Sequence, residues 1–192
     1  MREEAATSQE FVEANSQTRC INLIPAYAQN DGTRLLEIAS FRRVTFETAE
    51  DLDVITTSYI VWYKQNLDGQ AGWQCAGSPN FTVDEYSTAV QAGTADPEKA
   101  QKIRAIVNSL KREGLLENII LTAALDSQLN ARVIVDGNHR AIALAVVLRE
   151  DLGDVRKLLA SRCKVQMLEL RSMWAHVLYP CDFIDLCARR GP

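Results

Sequence analysis

The chain has 192 residues, of which 47% are hydrophobic and 24% are charged, and its formal net charge is −4. This length suits one domain with extensions, and this composition can fill a hydrophobic core. The negative charge does not favour non-specific binding to duplex DNA, which depends on neutralising phosphates. No apolar run reaches the roughly 18 residues that a membrane span needs, so we expect no membrane insertion.

The N-terminus and the cysteines both indicate a cytoplasmic protein. Residues 1–18 are polar, contain no apolar signal-peptide core, and are predicted to be mobile. Residues 19–192 are predicted to form a single domain. The five cysteines show no C-x-x-C spacing and do not cluster with a histidine. A disulfide framework or zinc site is therefore not expected, and a reducing compartment fits best.

The first half of the chain predicts strands only weakly. Residues 20–28 begin like a strand but contain Pro25, and residues 34–52 can hold one or two strands. Residues 55–67 are β-branched and aromatic without a clear period. The glycine-rich stretch 68–80 predicts a long loop, which is either functional or a tolerated surface insertion.

The second half predicts a regular order of elements. Asp96 and Pro97 start a helix whose apolar residues follow the i, i+3, i+4, i+7 spacing, and Gly114 can end it. The chain then predicts strand 116–124, a turn at 126–130, strand 131–135, a buried helix over 139–150 and strand 162–170. Residues 171–192 are predicted to be a helix or a covering segment. This order indicates a mixed α+β domain.

Residues 133–142 read VIVDGNHRAI and place a polar cluster between a strand and a buried helix. The first amides of a helix have no internal partners, and the helix dipole is positive there, so this junction can bind an anion. Gly137 lets the backbone approach a phosphate without a Cβ in the way. Arg140 can bind phosphate oxygens through two N–H groups, and His139 can donate to a phosphate or exchange a proton.

The other two members of the cluster have different candidate roles. Asp136 can hold a divalent ion or accept a proton from a hydroxyl nucleophile, and Asn138 can cap the helix. Each residue also has a structural explanation: Asp136 closes a turn, Asn138 only caps, Arg140 pairs with a carboxylate, and His139 packs in the core. Four such residues at one helix start favour a binding site. His176, in contrast, is assigned to packing.

The run KIRAIVNSLKREGLLENIILTAALDSQLNARVIVDGNHRAIAL resembles the ParB/sulfiredoxin fold. In that family a helix ends in Gly-Leu-Leu, a strand and a turn follow, and a second strand leads into a phosphate-binding box at a helix start. GLLENII and VDGNHRAIAL are similar to these two motifs, and the likeness covers about residues 96 to 170. The resemblance implies an α+β fold, with a mixed sheet, packed helices and a variable N-terminal half.

In this family the box cradles nucleotide phosphates. Members include partition proteins that bind and hydrolyse CTP, ADP-dependent free-serine kinases, and proteins with ATPase and DNase activity, among them plasmid fertility-inhibition proteins that block DNA transfer by type IV secretion. The resemblance thus implies ATP or another nucleoside triphosphate with Mg²⁺. It also implies DNA, and components of type IV secretion DNA transfer, as partners.

The resemblance also implies roles for single residues. Those that would bind the nucleotide are Gly137, Asn138, His139 and Arg140. Those that would act in catalysis are Asp136, which would also hold the metal, together with His139 and Arg140. A second acid is expected to face Asp136 from the loop before the long helix, and Glu85 is the candidate.

The chain departs from the family pattern at two places. Asn138-His139 replaces the Glu-Arg of partition proteins, and Glu117-Asn118 replaces their Gln-Pro, so selectivity for cytosine is not implied. The sulfiredoxin cysteine is also missing from the box, so reduction of sulfinic acids is not expected. Two alternatives to a nucleotide hydrolase stay open: a small-molecule kinase with a hydroxyl acceptor near Asp136, and a non-catalytic interaction module switched by nucleotide.

Overall fold

The computed structural model describes residues 1–16, 40–63, 80–113, 118–150, 153, 159 and 164–172. A short 3₁₀ turn over Glu50–Leu52 precedes the second helix. In chain order the other elements are β1 (Arg2–Ala5), α1 (Ser8–Ser16), β2 (Ser40–Phe46), α2 (Asp53–Thr56), β3 (Tyr59–Tyr63), β4 (Asn80–Thr82), α3 (Val83–Ala92), α4 (Pro97–Glu113), β5 (Ile119–Asp126), β6 (Ala131–Asp136), α5 (Asn138–Glu150) and β7 (Val165–Ser172).

The strands form one seven-stranded mixed sheet in the order β1-β2-β7-β5-β6-β3-β4. The pairs β5–β7 and β3–β6 are parallel, and the other neighbouring strands are antiparallel. Thr122 lies opposite Asp136, and Ile119 lies opposite Val165. The C-terminal end of β6 and the N-terminal ends of β5 and β7 therefore lie on the same side of the sheet, where these strands begin or end. The prediction of a mixed α+β domain is confirmed.

Helices pack on both faces of the sheet. Helices α2 to α5 share one apolar core with alternate residues of the central strands, and its largest fully buried side chains include Ile103, Leu121 and Ile142. On the opposite face Phe11 of α1 is buried against the sheet, and its ring centroid lies 5.5 Å from that of Phe41. Among the described helices, none has both the length and the apolar character of a membrane-spanning segment.

The caps of α4 and α3 show why these helices begin where they do. The Asp96 carboxylate accepts a hydrogen bond of 2.9 Å from the Lys99 amide, and Pro97 is the first helical residue, as predicted. At the start of α3 the Thr82 hydroxyl accepts from the Glu85 amide, and the Glu85 carboxylate accepts from the Thr82 amide. This reciprocal capping box satisfies two helix-terminal donors, and α3 was not predicted.

The N-terminal segment contains two elements that the sequence does not predict. Residues 2–5 form an edge strand and residues 8–16 form a helix, while the mobility expected of residues 1–18 stays a prediction. All four residues of β1 are exposed, so the strand carries no hydrophobic alternation that sequence reading could detect. One buried aromatic, Phe11, and an ion pair of 2.5 Å between Glu10 and Arg43 attach α1 to the sheet.

The predictions for the C-terminal half agree with the structure, apart from small shifts of boundary. Strands β5, β6 and β7 and helix α5 occupy the predicted places, and residues 127–130 form the predicted turn. Asn80, assigned to the end of the long loop, begins β4 instead. The rest of that loop, residues 20–28, Gly114 and residues 173–192 lie outside the described residues.

Candidate phosphate-binding site

The polar cluster stands where β6 ends and α5 begins. Asp136 is the last residue of β6, Asn138 is the first residue of α5, and Gly137 joins them with a φ of 85°. The Gly137 carbonyl accepts a hydrogen bond of 2.9 Å from the Ala141 amide, so Gly137 holds the N-cap position. The sequence interpretation in which Asn138 caps the helix is therefore wrong.

Packing as well as backbone conformation requires glycine at 137. A Cβ built on Gly137 would lie 2.7 Å from Leu121 Cδ2, and 3.5 Å from both the Ile120 carbonyl oxygen and Arg140 Nη2. The residue itself is buried. The Leu121 side chain thus approaches Gly137 more closely than a Cβ would permit, whereas the other two distances are ordinary van der Waals contacts.

Asp136 and Arg140 bind each other. Arg140 Nη2 donates to Asp136 Oδ2 across 3.2 Å, and the carboxylate is largely buried while the guanidinium is more exposed. The structural explanation of Arg140, pairing with a carboxylate, is therefore correct, and its partner is another member of the cluster. A guanidinium carries five N–H donors, so this one bond leaves donors for a further ligand.

His139 is half-buried in the first turn of α5. Burial is the largest cause that lowers its pKa, and the cations Lys102, Lys99 and Arg140 lower it further, whereas Asp136 opposes them. The imidazole is therefore neutral at pH 7. A neutral imidazole donates through one ring nitrogen and accepts through the other, which suits binding or proton exchange.

Two lysines of α4, Lys99 and Lys102, lie at the same end of the helices as His139, and the sequence analysis did not assign them to the site. At their C-terminal ends α4 and α5 are joined by an ion pair between Lys111 and Glu150. Lys99 lies twelve residues before Lys111, and His139 lies eleven before Glu150. With a rise of about 1.5 Å per residue, Lys99 and His139 are level if the two helices run side by side. The effect of Lys99 and Lys102 on the pKa of His139 supports this arrangement.

The sequence did contain a signal for these lysines. Cations near a helix N-terminus oppose the helix dipole, so the first turns of helices favour acids. Lys99 and Lys102 stand in the first two turns of α4, and Lys102 is paired with exposed Glu98 across 2.6 Å. The site thus collects the start of α5, two lysines and Arg140, with Glu98 paired to Lys102 and Asp136 paired to Arg140. The start of α4 is capped by Asp96.

The structure does not bring Glu85 to this site. Its carboxylate accepts the Thr82 amide at 2.9 Å in the capping box of α3. Its neighbour Asp84 lies 2.5 Å from Arg149, in the last turn of α5. Eleven residues of helix, about 16 Å, separate Arg149 from Asn138. The prediction of Glu85 as a second catalytic acid is corrected: its role is to cap a helix.

Asn138 is the least satisfied residue of the site. Its side chain is buried, with 8% of the residue exposed, and its Oδ1 atom has no hydrogen-bond partner within the described part of the chain. A buried polar atom without a partner costs about 1–3 kcal/mol. A half-turn of the amide would present its NH₂ group instead of the oxygen, so the side chain can serve either a donor or an acceptor.

Mg²⁺ fits these residues only with the help of a ligand. The described residues contain no group of three or more His, Cys, Asp or Glu side chains that could hold a metal. Mg²⁺ is commonly held by one or two carboxylates, with phosphate oxygens and water completing its shell. Asp136 can supply one such carboxylate, and the phosphates of a nucleotide would supply the next ligands.

A separate groove of about 440 Å³ lies between α3, α4 and α5. Its charged groups already have partners: Lys111 pairs with Glu150, and Arg104 donates to the Val90 carbonyl across 3.2 Å. The groove therefore shows no polar group that requires a ligand, whereas the start of α5 does.

The fold and the site together define a mixed α+β protein with a candidate phosphate-binding site at a strand–helix junction. In comparisons with known proteins, no family model, curated protein or solved structure matched this chain.

Proposed function

We propose that this chain binds the phosphates of ATP or another nucleoside triphosphate at the start of α5, with Mg²⁺, and hydrolyses the nucleotide. The observation that carries the proposal is the meeting of the Gly137 backbone, His139 and Arg140 at one helix start, with Lys99 and Lys102 near enough to lower the pKa of His139. Helix N-termini with arginine and lysine side chains bind phosphate through oriented N–H groups and favourable charge.

The order of elements supports a fold of the ParB/sulfiredoxin type. Helix α4, strands β5 and β6 and helix α5 follow one another as the resemblance implies, and the box lies at the start of α5. Asn118 differs from the proline of partition proteins, and its side chain accepts a hydrogen bond of 2.8 Å from the Lys164 amide. This bond gives Asn118 a structural role beside the site.

Hydrolysis at this site would rely on positioning and charge, as phosphoryl transfer generally does. Arg140 and the amides of the first turn would neutralise the phosphate oxygens. Water would attack the terminal phosphorus, the bond to the bridging oxygen would break, and Asp136 would accept the proton of the water. Mg²⁺ would supply further charge neutralisation when bound.

Cleavage of DNA at the same site is part of the proposal. A phosphodiester and a nucleotide present similar oxygens, and the described residues offer one cluster of this kind. The protein would act in the cytoplasm and block conjugative DNA transfer by type IV secretion, as the fertility-inhibition members of the family do. This biological role depends on the resemblance alone.

A small-molecule kinase is the second candidate, and the buried Asn138 amide is compatible with it. Its Oδ1 atom can accept a hydrogen bond from a hydroxyl group, whereas the flipped amide would donate to a phosphate oxygen. A hydroxyl substrate held there would lie in the same box as Asp136, the candidate base.

Product analysis separates these functions. Purified protein would be incubated with labelled nucleotide, with and without Mg²⁺, DNA and a mixture of small hydroxylated metabolites. Free phosphate indicates hydrolysis, a phosphorylated metabolite indicates a kinase, and bound but intact nucleotide indicates a switch. Arg140→Ala should lose the signal, whereas Arg149→Ala, which removes a cation at the opposite end of α5, should keep it. Equal activity in both variants would contradict the proposed site.

A further inference from the structure

The residue proposed to bind an anion and the residue proposed to bind a cation are hydrogen-bonded to each other. Arg140 is the candidate phosphate ligand and Asp136 the candidate metal ligand or base, yet Arg140 Nη2 donates to Asp136 Oδ2 across 3.2 Å. The same Nη2 atom lies 3.5 Å from the position of a Cβ on Gly137. The guanidinium therefore lies against the glycine backbone that a phosphate would approach.

This arrangement is incompatible with full use of both residues. A phosphate bound to the guanidinium in this position would stand beside the Asp136 carboxylate, and two anions at such a distance repel. A cation bound to Asp136 would likewise stand beside the guanidinium. The buried Asn138 oxygen, which lacks a partner at the same helix start, is a second sign that the site is incomplete without a ligand.

We propose that the Asp136–Arg140 ion pair is a latch that closes the phosphate site until an anion and a divalent cation bind together. The anion binds the Arg140 guanidinium in place of Asp136, and the divalent cation binds the Asp136 carboxylate that is thereby released. The inference rests on the proposed function, since it concerns the same site. It adds to that function a coupling between the two ligands: the polyphosphate and the divalent cation bind together, and each binds less tightly alone.

The latch makes the two ligands bind cooperatively. Each ligand alone must either break the ion pair and leave one residue without a partner, or lie beside a group of its own charge, whereas binding of the second ligand removes that cost. Because binding free energies are linked, the cation must tighten the anion by the same factor by which the anion tightens the cation.

The test is a calorimetric titration of sodium triphosphate into the full chain at fixed ionic strength, first in EDTA and then in MgCl₂. In EDTA, Asp136→Asn should bind triphosphate up to about fivefold tighter than the wild type, the range expected of a partly exposed charge pair. It should also lose the tightening by Mg²⁺ that the wild type shows. Asp84→Asn, which removes the acid of the Asp84–Arg149 pair at the other end of α5, should behave as the wild type.

A double variant separates the latch from simple repulsion. If Asp136 acts by holding Arg140, then Asp136→Asn should tighten triphosphate binding in the wild-type chain but not in the Arg140→Ala chain. Repulsion through space alone would give the same gain in both chains, and that result would overturn the latch. A second readout is binding of Mn²⁺ without phosphate, followed by electron paramagnetic resonance: Arg140→Ala frees Asp136 and should bind Mn²⁺ more tightly.

The possible outcomes distinguish a failure of the latch from a failure of the proposed phosphate-binding function. If the wild type binds no triphosphate in either buffer, the proposed function fails and the latch fails with it. If the wild type binds triphosphate but Asp136→Asn gives no gain in EDTA, the phosphate site stands and the latch is wrong. Circular dichroism of each variant checks that the fold is retained, and the Mn²⁺ readout does not depend on turnover.

Discussion

Replacement of Gly137 by alanine tests the geometry of the site directly. Gly137 has a φ of 85° and joins β6 to α5. An alanine there must adopt a left-handed conformation, and its Cβ must also stand 2.7 Å from Leu121 Cδ2. Leu121 is fully buried in the core, so its side chain cannot move without displacing neighbours.

The expected cost has two parts. The left-handed conformation costs an L-residue roughly 1–2 kcal/mol. Overpacking of a filled core costs about 1–3 kcal/mol more. Gly137→Ala should therefore lower the free energy of unfolding by about 2–5 kcal/mol.

Gly93 provides a matched control for the first part. It also has a positive φ, of 75°, but a Cβ added there meets no atom within 4 Å. Gly93→Ala should cost only the conformational part, about 1–2 kcal/mol. Urea denaturation of the three proteins measures both costs, and the difference between the two variants isolates the contact with Leu121.

A double variant checks the assigned cause. Leu121→Ala removes the δ-methyl groups, so in the Leu121→Ala background Gly137→Ala should cost little more than Gly93→Ala does in the wild type. The reasoning is refuted if Gly137→Ala and Gly93→Ala are equally destabilising in the wild-type chain. The backbone of the box would then not be held against β5 as the structure has it.

Three further predictions concern single side chains. Arg140→Ala should weaken nucleotide binding by about 1.5–3 kcal/mol, the scale of a hydrogen bond to a charged group. Calorimetry on the folded variant measures this loss, and an unchanged affinity would contradict the role of Arg140 in binding phosphate. Glu169→Gln should lower the free energy of unfolding in urea by about 2 kcal/mol, since it leaves Arg132, 2.6 Å away, without its buried counter-charge. Wild-type stability should fall as the pH drops below 6.5, the ordinary pKa of histidine. The pKa of His139 is lowered in the folded protein, so the unfolded chain takes up a proton at a pH where the folded chain does not. His139→Gln should show a smaller fall, and an equal fall would contradict the burial of this imidazole.

The C-terminal half of the fold was predictable because its signals are local. The stripe of Ile103, Ile106 and Val107 has the period of a helix, and Asp96 and Pro97 form a helix start that depends on a few neighbouring residues. Strands β5 and β6 are apolar and joined by a short turn. In each case the chain carries the whole pattern within one element, so no knowledge of packing was needed.

Helix α3 was missed although the sequence carries its start. Thr82 and Glu85 have the spacing of a capping box, which marks the N-terminus of a helix. The same acid was instead assigned to catalysis, on the ground that it stood before the long helix. An acid three residues after a threonine already has a structural use, and this use should be tested before a chemical one.

Other features depend on how elements pack and could not be read from the chain. Lys99 and Lys102 belong to the site only because α4 lies beside α5 with its start at the same end. The Asp136–Arg140 pair follows from a rotamer that sequence spacing permits but does not require. The charged strand β1 pairs at the edge of the sheet through its backbone, which any residues can supply.

The charge distribution argues that a nucleotide suits this site better than a long nucleic acid. The whole chain carries a formal charge of −4, and the cations Lys99, Lys102 and Arg140 lie at one end of α4 and α5, where Glu98 and Asp136 pair with two of them. A free polyphosphate meets only this end. A DNA strand must also pass over surface beyond it, where the net negative charge of the chain repels phosphates within a Debye length of about 8 Å at physiological salt. Lengthening the strand should therefore weaken DNA binding at low salt, and added salt should relieve this loss by screening the repulsion, whereas added salt should weaken triphosphate binding. A short single-stranded end or a nicked site, which presents few phosphates at once, is consequently the form of DNA that this site can best accept.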